Sequence, residues 1–150
     1  YRDWNTMAAA GTAAAGPTAS GETAAAAPAQ VATSSSGAIP ILRMFDVERT
    51  LAFYVDFLGF RRGFEHRFSP EAPLYTEVER DGVRLHLSEH HGDATPGSAV
   101  IIEIADAAAL QRELIARDYP YARPGLERQD WGLTVTVGDP ASNRLIFLQR

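Results

Sequence analysis

Residues 46–60 read Asp-Val-Glu-Arg-Thr-Leu-Ala-Phe-Tyr-Val-Asp-Phe-Leu-Gly-Phe, and this stretch decides the fold. Asp46 stands where a carboxylate can accept the free N–H groups of a helix start. Val47, Leu51, Tyr54 and Leu58 then recur at i, i+4, i+7 and i+11, and Gly59 occupies the C-terminal stop position. The spacing predicts one helix with a single apolar stripe. Before it, residues 38–45 form an apolar, strand-like run; after it, residues 60–68 read as a second strand, ended by a loop at 69–73 that holds two prolines. Residues 74–79 and 83–88 alternate apolar and polar side chains across Asp81-Gly82, the pattern of a hairpin closed by a tight turn. The order is strand, helix, three strands.

A shift of 60 residues repeats that order. Ile41 falls on Ile101, Asp46 on Asp106, Tyr54 on Leu114, and Arg84-Leu85 on Arg144-Leu145. The second copy is predicted as a strand at 98–104, a helix capped by Asp106 that runs through Leu110, Leu114 and Ile115, and a segment at 119–128 passing from loop into strand. Strands at 133–137 and 144–148 follow, separated by the turn Asp139-Pro140-Ala141-Ser142-Asn143. The expectation is an α+β domain of two βαβββ modules. Periodicity alone leaves open that two ordinary halves match by coincidence.

Of 150 residues, 13 of the first 37 are Ala, and from Met7 to Gly37 there is no aromatic residue, no Leu or Ile, and one charge, Glu22. Such a segment cannot bury enough apolar area to offset its ordering entropy, so residues 1–37 are expected to be a disordered tail before a domain at 38–150. The tail lacks the basic start and apolar run of a secretory signal, and no apolar run is long enough to span a bilayer, so the expected location is cytoplasmic. Cysteine is absent, which removes disulfides, thiolate metal sites and cysteine nucleophiles. The 14 basic residues are all Arg, against 19 acids, for a net charge of -5. That balance argues against nucleic acid and favours neutral or cationic small ligands.

The doubled βαβββ order, the phrase Phe53-Tyr54-Val55-Asp56-Phe57-Leu58-Gly59-Phe60, and the ending Trp131-Gly132 followed by Asp139-Pro140-Ala141-Ser142-Asn143-Arg144-Leu145 resemble the glyoxalase / bleomycin-resistance / dioxygenase superfamily, the vicinal oxygen chelate fold. Within it the chain is most similar to the bleomycin-resistance branch, with Gln129-Asp130-Trp131-Gly132 where that branch usually has QPWG. The resemblance implies a curved mixed sheet around a cavity, with the helices outside. Alternation along the strands then turns Arg84, His86 and Ser88 inward, together with Ile39, Ile41 and Arg43, Ala99, Ile101 and Glu103, and Ile146 and Leu148.

Enzymes of this superfamily bind a divalent metal at positions that fall here on Ile39, His86, Ala99 and Ile146. Only His86 can ligate, whereas a Zn, Fe or Mn site needs at least three donors. No metal and no cofactor are therefore expected. His86, Glu89, His90, His91 and Asp93 are metal-friendly types at close spacing, but they are read as a polar loop with His86 hydrogen-bonded in the cavity. Glu103 near Arg43 and Arg84 is read as a cavity salt bridge or a ligand contact.

No phosphate loop or nucleophile elbow appears. The resemblance thus implies ligand binding without chemistry: a homodimer that sequesters an antibiotic of the bleomycin type, with Trp131, Phe64, Tyr75, Glu77, Glu79, Glu103, His86, Arg43 and Arg84 as lining residues. The alternatives are an enzyme of the same superfamily with an atypical metal site at His86 and the loop after it, and a dimeric interaction module.

Overall fold

The computed structural model describes residues 27–150. Most of the expected tail, residues 1–26, lies outside the described residues; residues 27–37 form neither helix nor strand and are exposed. The first module comprises β1 (Ile41–Arg43), α1 (Val47–Leu51) continuing directly into a π-helix (Ala52–Phe57), β2 (Arg61–His66), β3 (Tyr75–Arg80) and β4 (Val83–Ser88). The second comprises β5 (Ala99–Glu103), α2 (Ala107–Ala116), β6 (Glu127–Gln129), β7 (Gly132–Gly138) and β8 (Arg144–Gln149).

The modules form two separate four-stranded mixed sheets, ordered β1-β4-β3-β2 and β5-β8-β7-β6. In each, the first strand lies parallel to the last and the other pairs are antiparallel. The 60-residue repeat is visible in the register itself, since Leu42 pairs with Leu87 and Ile102 with Phe147. Both helix caps form as expected: the carboxylates of Asp46 and Asp106 each accept a backbone N–H three residues on, from Arg49 and Ala109, at 2.9 Å.

On the core side, Leu42, Val78, Leu85 and Leu87 of the first sheet and Ile102, Val135, Leu145 and Phe147 of the second join one apolar cluster with the helices. The first helix differs from its predicted stripe. Tyr54 and Leu58 are buried as expected, but Val47 and Leu51 are only partly so, and Thr50, Phe53 and Phe57 are buried instead. The helix ends in a π-helical turn, in which Leu58 N–H reaches the carbonyl of Phe53, five residues back, at 2.9 Å. Thr50, Phe53, Tyr54, Phe57 and Leu58 stand at i, i+3, i+4, i+7 and i+8, a single helical face rotated from the predicted stripe, and it is this face that carries the large rings inward. Tyr119, in the expected loop, stacks on Phe57 with centroids 4.5 Å apart and closes that aromatic cluster.

The Asp139-Asn143 turn locks the modules together. Asp139 Oδ1 accepts the backbone N–H groups of Ala141 and Asn143, and its Oδ2 accepts the Tyr54 hydroxyl at 2.7 Å and the Asn143 amide at 2.9 Å. Asn143 also donates to the carbonyl of Arg43 and accepts from the backbone of Ser98. Burial, and then the neighbouring Asp139 charge, push the Tyr54 phenol well above its ordinary pKa, so it remains a donor. A buried carboxylate with all these partners is a structural hub, which is why the motif sits in a turn and not in a site.

Candidate functional site

Each sheet turns one face toward the helices and leaves the other open. On the open face of the first sheet stand Tyr75, Glu77 and Glu79 of β3 and Arg84 and His86 of β4, since Thr76, Val78, Leu85 and Leu87 between them are buried in the core. The two-residue turn Asp81-Gly82, both residues at positive φ, fixes the hairpin register and sets Glu77 directly across from His86.

These residues form a hydrogen-bonded chain. His86 Nε2 lies 2.9 Å from Glu77 Oε2, and Nδ1 lies 2.6 Å from the Tyr75 hydroxyl. The carboxylate can only accept, so Nε2 carries the hydrogen; a neutral imidazole then accepts the Tyr75 proton at Nδ1. Burial, and next the Glu77 charge, raise the Tyr75 pKa above its ordinary value, which keeps the phenol protonated. Phe64 packs beside this chain, parallel to Tyr75 at 6.2 Å and edge-on to His86 at 5.3 Å. An irregularity in β2 between Arg62 and Glu65 brings Phe64 to this face. Phe64, Tyr75, Glu77 and His86, expected separately as lining residues, are thus one cluster.

The other candidates fall differently. Glu79 is held by Arg61 at 2.6 Å and by the N–H of Gly82, and the Arg61 hydrogen bond is the main reason its carboxyl is lowered from the usual pKa. Glu103 makes no pair with Arg43 or Arg84, correcting that expectation: its partner is Arg150 at 2.8 Å, because the C-terminal end of β8 runs beside β5. Arg43 instead donates to the carbonyl of Glu89 at 2.6 Å and lies over the Phe45 ring. Arg84 is exposed beside Glu79. Ser88, expected to face inward, is fully buried and donates to Asp93. Among the candidate carboxylates, Glu77 alone is held by a histidine and not by a guanidinium.

On the second sheet Trp131 sits with Asp130 in the two-residue turn between β6 and β7, 61% exposed. Gly132 after it has φ +146°, and a Cβ there would run into the carbonyl of Gln149, so the turn that presents the indole requires glycine. Ile101, 62% exposed, lies on the open face of β5 beside Ile146 of β8.

The residues do not fit the superfamily's metal. The imidazole of His86 is engaged at both nitrogens, and Ile39, Ala99 and Ile146 offer no donor. In the following loop the side chain of Glu89 accepts from the backbone of Leu74, and Asp93 is taken by Ser88, so the two turn to different partners. Among the described residues no three His, Asp or Glu converge to hold an ion.

A family model described as "Glyoxalase superfamily protein" matches residues 26–150. No curated protein sequence gives a significant match. Among solved structures, the chain is similar to the bleomycin-binding protein of bleomycin-producing Streptomyces verticillus in complex with copper(II)-bleomycin, at 32% identity and a TM-score of 0.61, over 79% of this chain and 99% of that one. It also resembles, in fold, a bleomycin resistance determinant encoded on the transposon Tn5, at 23% identity and a TM-score of 0.59 over 77% of this chain and 98% of that one. A third likeness of fold is to an antibiotic-binding protein from a Streptomyces species, at 19% identity and 0.59 over 80% and 98%. No helix of the described residues is long and apolar enough to cross a membrane. With its two mixed sheets of doubled βαβββ order and a family match over all but the first 25 residues, the chain belongs to the glyoxalase superfamily.

Proposed function

We propose that the chain binds and sequesters a cationic antibiotic with a planar aromatic part, of the bleomycin type, without transforming it. The observation that carries this reading is the open-face cluster of Phe64, Tyr75, His86 and Glu77, in which an aromatic surface surrounds a carboxylate not neutralised by arginine. A cation gains from Glu77 and a ring system gains from Phe64 and from the exposed Trp131. The likeness at 32% identity to a protein whose structure holds copper(II)-bleomycin supports the same ligand class. The exposed Ile101 and Trp131 on the second sheet support closure of the site by a second copy of the chain, giving a homodimer with two equal crevices.

Calorimetric titration of bleomycin into the purified protein, with sedimentation velocity for the dimer, tests this reading. Trp131→Ala is expected to weaken binding at every ionic strength. Glu77→Gln is expected to weaken it mainly at low salt, since the charge attraction is screened. An absence of heat and of competition at high micromolar drug would sink the proposal for this antibiotic.

A further inference from the structure

The two modules are not equal where they meet. Subtracting 60 maps the junction of β5 with α2 onto that of β1 with α1: Ile104 onto Met44, Leu110 onto Thr50, Glu113 onto Phe53 and Phe147 onto Leu87. In the first module Met44, Thr50 and Phe53 are entirely buried. The turn between β7 and β8 docks on this junction, where Asp139 takes the Tyr54 hydroxyl and Asn143 reaches Arg43, and Tyr119 packs on Phe53. That turn carries three residues between the hydrogen-bonded Asp139 and Asn143. Its counterpart between β3 and β4 has only Asp81-Gly82.

The shorter turn fills less. Ile104, Leu110 and Glu113 remain partly exposed, and a cavity of about 440 Å³ opens there. Its apolar walls come from Phe60, Val83, Ile102, Leu110 and Phe147, and Ala109 lies on the α2 side. Arg80 spans one end, bound through both terminal nitrogens to Glu113 at 2.7 and 2.9 Å. The remaining charges that line it, Asp81, Glu103 and Asp106, are all negative; Asp81, 87% exposed at the turn, meets Arg80 Nε at 3.4 Å, and Glu103 holds Arg150. The cavity is separate from the open-face cluster and from Trp131: Phe64, Tyr75, Glu77, His86 and Trp131 take no part in it.

We propose that this cavity, left by the shorter turn, is a second binding site that takes a small amine with an apolar ring body, independently of the ligand on the open sheet face. Its size is within the roughly 300–1,000 Å³ of small-molecule sites. The walls bury the ring. The four lining carboxylates outnumber Arg80 even when Arg150 on Glu103 and Arg117 on Glu113 are counted beside it, and this negative balance favours a cation and disfavours an anion of the same shape.

The experiment titrates 1-naphthylmethylamine into the full chain, with 1-naphthylacetate as the anionic control, and follows calorimetry and backbone amide NMR shifts. Expected are saturable binding of the amine with a Kd of about 1 mM or better, and a preference over the acetate of at least about tenfold. The amides that move are those of Val83, Ile104 and Leu110. Ala109→Phe, which grows a ring into the space, is expected to remove this binding while leaving the bleomycin titration unchanged; if it does not fold, Ala105→Leu serves the same purpose. Lack of saturation, equal affinity for amine and acetate, full affinity in the filled variant, or shifts confined to Tyr75, His86 and Trp131 would each overturn the proposal.

Discussion

The two modules share an order, a pair of capping aspartates and a strand register, yet one closes its junction with a buried polar hub and the other with partly exposed ion pairs that Arg80 and Arg117 make to Glu113. Phe53 of the first helix is wholly buried, whereas its counterpart 60 residues on, Glu113, reaches out to Arg80. Likewise Asp139 is buried with four accepted hydrogen bonds, and the corresponding residue at the end of β3, Arg80, keeps a quarter of its side chain exposed. A duplicated plan therefore fixes strands and helices without fixing what fills the space between them. One junction became structural, and the other kept a cavity.

The largest test of that difference is Phe53→Ala against Glu113→Ala. Removing a fully buried ring is expected to cost about 3–5 kcal/mol in chemical denaturation, and removing the partly exposed carboxylate less than about 1 kcal/mol. Equal losses would show that both junctions are core. Next come the turns: Asp139→Ala should cost about 2–4 kcal/mol because it leaves several buried donors without an acceptor, while Arg80→Ala should cost about 1 kcal/mol or less. Tyr54→Phe, which removes one hydrogen bond from the hub, is expected to cost about 1–2 kcal/mol.

Acid distinguishes the junctions further. The Arg80 hydrogen bond holds the Glu113 carboxyl below its usual 4.5, so its stabilisation is present above that value and lost as pH falls through the lower, folded-state pKa. The small advantage of wild type over Glu113→Gln at pH 7, below about 1 kcal/mol for so exposed a pair, should therefore vanish in strong acid. Smallest of all is the tail. Deleting residues 1–37 is expected to move the unfolding free energy by less than about 1 kcal/mol, because that segment has almost no apolar side chains to bury; a larger loss would mean that it docks.

Much of this was legible in the chain before any coordinates. Asp46 and Asp106 announce their helices because a cap is satisfied within three residues. The 60-residue offset held through β1, β4, β5 and β8 because parallel pairing with one register in both modules preserves it. It slips by one residue between β3 and β7, since Val78 pairs with Leu85 but Val137 with Leu145, and the cause is the longer turn at 139–143. The pairing of Glu77 with His86 was also within reach. Once Asp81-Gly82 is taken as a two-residue turn, counting outward sets the two opposite each other.

By itself, then, the sequence determined what depends on neighbours a few residues away: alternation, capping, turn type, and through them the order and direction of the strands. Tertiary structure alone decided that Glu103 finds Arg150 and not Arg43, and that one junction is filled while its twin holds a cavity. Those outcomes turn on distances of an ångström or two between segments tens of residues apart. One residue more in a hairpin changes them, and it leaves no mark in the spacing of apolar residues.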